Sequence, residues 1–133
     1  MKNSNRGIVA EKMFETVCLS HGLALFEPVV HDSPVDLVVS GGKLYRCQIK
    51  VCSPGWFGKT KKVNLRRTHY VKARHRIPYK SSEIDVLVGV DIDTRDIYIV
   101  PMDFLEKNGY KRAISVSVLI QNGYINNFNI FGV

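Results

Sequence analysis

The sequence of 133 residues lacks the features of membrane and secreted proteins. No apolar run approaches the roughly 20 residues of a transmembrane helix, and the amino-terminal segment turns polar and acidic before an apolar signal segment forms. Three cysteines without a Cys-x-x-Cys pair argue against a disulfide framework and a zinc knuckle. The scattered histidines offer no zinc-binding spacing. We therefore predict a single domain, residues 1–133, in a reducing cytoplasm.

Acidic residues are absent from a long internal stretch. Positions 37–82 hold no Asp or Glu, whereas 12 of the 19 lysines and arginines fall there. The whole chain has a formal net charge of +7 with neutral histidines. This distribution suits a polyanionic partner, although a solvated basic face would give the same pattern. We favour nucleic acid, because solubility alone does not require 46 residues without one acid.

Hydrophobic periodicity predicts both helices and β-strands, as in an α/β fold. Apolar spacing indicates a first helix that Gly22 ends, and runs of Val, Ile and Leu indicate buried strands. The tail beyond residue 110 favours strand and turn. The expected elements are a helix over 4–20, an apolar strand within 23–30, a hairpin of 36–40 and 43–52, strands over 84–92 and 97–101, and a short helix over 103–107.

The predicted hairpin contains two polar residues in a strand that looks central. Gly41 and Gly42 separate two β-rich runs, which is a strong hairpin signal. In the second run, period two places Gln48 and Lys50 together on one face, opposite an apolar set. The turn would fold Asp36 back beside this pair. Polar side chains are unusual in a central strand, so this pair indicates a functional site.

Hydrolysis of a phosphodiester needs the groups gathered here. Mg²⁺ binds to one or two carboxylates together with waters and substrate phosphate. A lysine beside it stabilises developing negative charge and orients or deprotonates the attacking water. Asp36 supplies one carboxylate, and Glu11, on the preceding helix, would point in from the side. Ordinary structural roles remain open for all four residues: a turn acid, a solvated helix residue, a hydrogen-bonding amide and a strand-edge lysine.

The pattern of Glu11, Pro34-Val35-Asp36 and Gln48-Ile49-Lys50 resembles the PD-(D/E)XK nuclease superfamily. The run DLVVSGGKLYRCQIKVCS looks most like the members related to archaeal Holliday-junction resolvases, and among these the cyanobacterial group I intron homing endonucleases. The resemblance covers residues 5–101. It implies an α/β fold with a mixed sheet and an αβββαβ restriction-endonuclease-like core. It also implies a prokaryotic cytoplasm, and Mg²⁺ as the cofactor with Mn²⁺ as a substitute.

The resemblance also implies a role for each residue. Asp36 becomes the principal metal ligand, and Glu11 assists on the metal or its waters. Gln48 stands where the family has Asp or Glu, so it contributes a neutral oxygen or holds a water. Lys50 assists the nucleophile.

The implied function is Mg²⁺-dependent, site-specific cleavage of double-stranded DNA by a homing-type endonuclease. A Holliday-junction resolvase, a repair-type nuclease and a catalytically inactive DNA-binding module are the alternatives. One metal site cuts one strand, so double-strand cleavage predicts a homodimer or homotetramer.

Within this basic stretch, residues 55–80 are the predicted surface for DNA. Lysines suit phosphate contacts, and arginines suit bidentate contacts to guanine. The predicted phosphate contacts are Lys59, Lys61, Lys62, Lys72 and Lys80, and the candidates for reading bases are Arg66, Arg67, Arg74 and Arg76.

Overall fold

The computed structural model describes residues 1–53, 61–66 and 77–133. The three helices are α1 (Asn3–Ser20), α2 (Met102–Lys107) and α3 (Val116–Gln121). The strands are β1 (Ala24–Phe26), β2 (Leu37–Ser40), β3 (Leu44–Val51), β4 (Lys62–Asn64), β5 (Val86–Val90), β6 (Ile97–Pro101) and β7 (Ala113–Ser115). A 3₁₀ turn, Asn129–Phe131, lies near the end of the chain.

Five strands form a mixed sheet in the order β1-β2-β3-β5-β6. The pairs β1–β2, β2–β3 and β5–β6 are antiparallel, whereas β3 and β5 run parallel. The strands β4 and β7 pair separately as a two-stranded antiparallel ribbon. The mixed sheet with its helices confirms the predicted α/β class, and β3 occupies its centre.

Helix α1 covers one face of the sheet. Ala10, Phe14 and Cys18 lie four residues apart, so they share one side of the helix, and all three are fully buried. They pack against the inward residues of β3 and β5, such as Ile49 and Val88. The rings of Phe14 and Phe128 stack with their centroids 6.1 Å apart. This apolar contact fixes α1 on the sheet.

The Gly41–Gly42 turn joins β2 to β3, as the sequence predicts. Gly42 has a positive φ of 116°, which favours glycine. Gly41 instead faces the carboxyl-terminal 3₁₀ turn, where an added Cβ would lie only 1.7 Å from the carbonyl oxygen of Phe131. The first glycine therefore admits a close backbone contact, and the second permits the turn conformation.

The opposite face of the sheet packs against the β4–β7 ribbon and α2. Val63 of β4 and Ile114 of β7 are buried there beside Leu87 of β5. Gly89 of β5 makes room for the ribbon, since an added Cβ would lie 2.5 Å from Cγ2 of Val63. The absence of a side chain at one position of β5 thus sets the height of the ribbon above the sheet.

The carboxyl-terminal segment differs from its predicted strand and turn. Strand β7 does form, but it leads directly into helix α3. The buried side of this helix, Val116 and Leu119, is too short for its period to stand out in the sequence. Phe128 and Phe131 pack in the core of their own chain, against Phe14.

The remaining predictions on the fold concern helices and cysteines. Helices α1 and α2 and the strands of the sheet lie where expected. All three cysteines are buried and unpaired. No helix within the described ranges combines the length and apolarity needed to cross a bilayer.

Candidate active site

Asp36 and Gln48 face each other across the β2–β3 hairpin. Leu37 pairs with Cys47, and the same antiparallel register places the preceding Asp36 opposite Gln48. The backbone amide of Asp36 donates to the carbonyl of Cys47 at 2.8 Å. In turn, Oδ2 of Asp36 accepts a 2.9 Å hydrogen bond from the amide of Ile49. The carboxylate is thereby held against the polar side of β3.

Lys50 lies on the same face of β3, two residues beyond Gln48. It is only 8% exposed, and its strand is central, so the strand-edge interpretation does not apply. Its Nζ donates a 3.0 Å hydrogen bond to the carbonyl oxygen of Arg66 and lies 5.2 Å from the ring centroid of Tyr79. Both contacts favour the charged ammonium group.

Electrostatics link Glu11 and Lys50 to Asp36. Burial raises the pKa of Asp36, while the Ile49 amide and the positive charge of Lys50 lower it in opposition. Burial also raises the pKa of Glu11, and the negative charge of Asp36 raises it further. A cation bound beside these carboxyl groups would favour their ionised forms.

The residues fit a sparsely coordinated divalent ion. Gln48 is 9% exposed, and no donor in the described ranges reaches its Oε1. Asp36 and Glu11 add two carboxylates, a number that suits Mg²⁺, which keeps several of its waters. Within those ranges, no group of three or more His, Cys, Asp or Glu side chains is arranged to hold a metal. The candidate site therefore depends on two acids and an amide oxygen.

Two residues that the sequence did not single out for the site position Lys50. Oδ1 of Asn64 accepts a 2.9 Å hydrogen bond from the amide of Arg66, and this short turn orients the carbonyl that Lys50 contacts. Tyr79 is buried, and its amide donates to the carbonyl of Leu65. Tyr79 lies 29 positions after Lys50 in the sequence, so no local pattern links the two.

The predicted DNA contacts divide into paired and exposed residues. Lys61 Nζ lies 2.6 Å from Oδ2 of the buried Asp91, so its charge is committed within the protein. Lys62 and Lys80 are exposed. Arg66 is half-buried, and its Nε is buried without an acceptor in the part of the chain that the structure describes. The predicted contacts Lys59, Arg67, Lys72, Arg74 and Arg76 lie outside the described residues.

Arg46 is a second basic residue on the polar face of β3. Its guanidinium forms two hydrogen bonds to the carboxylate of Asp85, at 3.0 and 3.1 Å. It also donates to the carbonyl oxygens of Ser81 and Ser82. Arg46 thus ties the segment before β5 to the central strand, which fixes the position of the neighbouring Tyr79.

Comparison with known proteins identifies the family. The chain matches the family model of the PD-(D/E)XK endonuclease over residues 1–131. No curated protein matches it. Among solved structures it is similar to a bacterial homing endonuclease, I-Ssp6803I, with a TM-score of 0.75 and 22% sequence identity. That match covers 87% of this chain and 78% of the other.

The fold and the family match agree with the resemblance seen in the sequence. Nucleases of this family generally use divalent metal ions, and their substrate is DNA. The family match spans nearly the whole chain, including Glu11, Asp36, Gln48 and Lys50. The chain is therefore a DNA endonuclease that belongs to the PD-(D/E)XK family.

Proposed function

We propose that the protein is a Mg²⁺-dependent, site-specific endonuclease of homing type that cuts double-stranded DNA. Mn²⁺ would substitute for Mg²⁺. The observation that carries this proposal is the polar face of β3, where Asp36 lies opposite Gln48 and the charge of Lys50 lowers the pKa of Asp36. The family match supports the chemistry, and the homing-type specificity rests on the resemblance.

In this mechanism Asp36, Glu11 and Gln48 would hold the ion. Mg²⁺ held there would supply Lewis-acid chemistry for the phosphate and for the attacking water. Lys50 orients the attacking water and stabilises the negative charge that develops on the phosphate. The carbonyl of Arg66 and the ring of Tyr79 hold the ammonium group ready for this role.

Cleavage of both strands requires two such sites. One copy of the chain supplies one Asp36 and one Lys50, and the two strands of a duplex run in opposite directions. A two-fold symmetric pair of chains would present its sites to both strands. We therefore infer a homodimer or homotetramer as the active form on duplex DNA.

The test is a search for new DNA ends. Purified protein is incubated with a randomised duplex library and Mg²⁺, and the ends produced are sequenced, with Asp36→Asn and Lys50→Met in parallel. Asp36→Asn keeps an acceptor for the Ile49 amide, and Lys50→Met keeps the length of the side chain. Each should reduce cleavage on the order of 10³-fold, as expected when charge stabilisation is lost. The control Asp93→Asn, in an exposed turn, should cut as wild type.

The outcome separates the proposal from its alternatives. Discrete ends that both variants lose would support a site-specific nuclease. Cleavage that survives both substitutions contradicts the proposed site. Bound duplex without new ends favours a DNA-binding module, which the neutral Gln48 makes a specific alternative. A four-way junction cut in preference to linear duplex would favour a resolvase.

A further inference from the structure

We propose that the outer face of the β4–β7 ribbon, together with Lys111 and Arg112 at its end, is a docking surface for duplex DNA. This inference rests on the proposed function and assigns its substrate to a particular surface. The residues Lys111 and Arg112 lie in the carboxyl-terminal tail, outside the basic stretch that the sequence singles out. Tertiary structure brings the two segments together.

The ribbon has one buried and one outer face. Val63 and Ile114 are paired and point into the core. Strand alternation turns their neighbours to the outside, where Lys62 pairs with Ser115 and Asn64 with Ala113. These outer side chains, apart from the lysine, are small and polar or a methyl group. They leave the ribbon low enough for close approach to another surface.

A two-stranded β-ribbon is a type of element that can enter a groove of DNA. The major groove of B-DNA admits a two-stranded β-ribbon as well as an α-helix. Within the ribbon, Lys62 is exposed at one end. At the other end the amide of Leu65 donates to the carbonyl of Arg112 at 2.9 Å. This contact places Lys111 and Arg112 beside Arg66.

The charges on this surface are available to a polyanion. Lys111 and Arg112 are exposed, and no acid within the described ranges forms an ion pair with them or with Lys62. By contrast, Lys61 and Arg46 are each paired with an aspartate. Exposed lysines and arginines without an acidic partner are the charges that a DNA-binding surface uses.

The surface leads directly to the candidate active site. Arg66 follows β4 by two residues, and its carbonyl accepts the hydrogen bond from Lys50. Arg66 itself lies at the same end of the ribbon. Duplex DNA bound along the ribbon would therefore bring a phosphate to the side of β3 that carries Lys50.

The test uses the double substitution Lys111→Ala/Arg112→Ala in the full chain. Affinity for a fluorescent duplex library is measured without Mg²⁺ over a series of KCl concentrations. Each phosphate contact contributes about 0.9 to the slope of log K against log salt, so the slope should fall by about two. Affinity at low salt should fall roughly tenfold or more. The control Lys2→Ala/Lys43→Ala removes the same charge from exposed positions away from the ribbon and should match wild type.

A second variant tests the ribbon itself. Ser115→Glu places an acid on the outer face opposite Lys62. Compared with wild type, it should weaken duplex binding without lowering the melting temperature. The control Asn5→Glu adds the same charge to the exposed start of α1. Wild-type affinity in both ribbon variants overturns the inference, and so does a changed oligomeric state at unchanged affinity.

The two proposals fail in different ways. If wild type cuts duplex DNA through Asp36 but the ribbon variants bind normally, only the docking surface is wrong. If wild type neither binds nor cuts duplex DNA, both proposals fall.

Discussion

The two faces of the central sheet use the same strands for different purposes. Against α1 the sheet is apolar, with Cys47 and Ile49 of β3 and Val88 of β5 in one buried cluster. On the other face β3 presents Arg46, Gln48 and Lys50, which alternate with those apolar residues. The comparison shows that period two lets one strand contribute to the core and to the candidate site at once.

The polar face is stable because its groups have partners. Lys50 is only 8% exposed, yet its charge meets the Arg66 carbonyl and the Tyr79 ring. Arg46 is held by Asp85. A buried charge without such partners would destabilise the fold. The ribbon and the segment before β5 therefore supply the environment that the apolar face does not need.

Truncation of the α1 face gives the largest expected change in stability. Phe14→Ala removes a fully buried ring that packs against Phe128 and Phe131. The free energy of unfolding should fall by about 3–5 kcal/mol, measured by urea denaturation. Phe14 lies on the opposite face from Lys50, so folded molecules should cut DNA at the wild-type rate as long as α1 keeps Glu11 in place. A slower rate per folded molecule would show that the packing of Phe14 also positions Glu11.

A smaller change is expected where the ribbon meets the sheet. Gly89→Ala places a Cβ 2.5 Å from Cγ2 of Val63, so β4 must shift, at a cost of about 1–3 kcal/mol. Cleavage should slow as well, because Lys50 is hydrogen-bonded to Arg66 beyond β4. The control Gly7→Ala meets no atom within 4 Å and should stabilise α1 by about 0.5–1 kcal/mol. An unchanged free energy of unfolding in Gly89→Ala would show that the ribbon packs loosely against the sheet.

The smallest effects should distinguish two adjacent lysines. Lys61→Ala leaves the buried carboxylate of Asp91 without its 2.6 Å partner, so the melting temperature should fall. Lys62→Ala removes an exposed charge, so the melting temperature should stay the same. The slope of log K for DNA binding against log salt should fall by about one. Melting curves and binding titrations on both variants check this. If the slope of log K against log salt fell equally in both variants, Lys61 would have to release Asp91 and contact a phosphate when DNA binds.

The local elements could be predicted because their signals are local. The apolar spacing of α1, the Gly-Gly turn and the alternation along β3 each follow from neighbouring residues. Helix α3 was missed because two buried residues in a six-residue helix give no readable period. The elements of the αβββαβ prediction from α1 to the hairpin lie where expected, and β5 is parallel to β3.

The candidate site was predictable in its residues and less so in its surroundings. Asp36, Gln48 and Lys50 lie within one hairpin, so their approach follows from the turn. The support of Lys50 comes from Asn64, Arg66 and Tyr79, which are 14 or more positions away in the sequence. Such contacts depend on how the segments pack, which no local pattern specifies.

The sequence alone determined the basic character of residues 37–82, the alternation of β3 and the family. These follow from composition, period and motif, which are properties of neighbours along the chain. Only the tertiary structure decided which charged side chains form ion pairs within the protein. It pairs Lys61 with Asp91, and it brings Lys111 and Arg112 beside β4. The physical reason is that an ion pair or a strand pairing depends on distance in space, and the fold sets that distance.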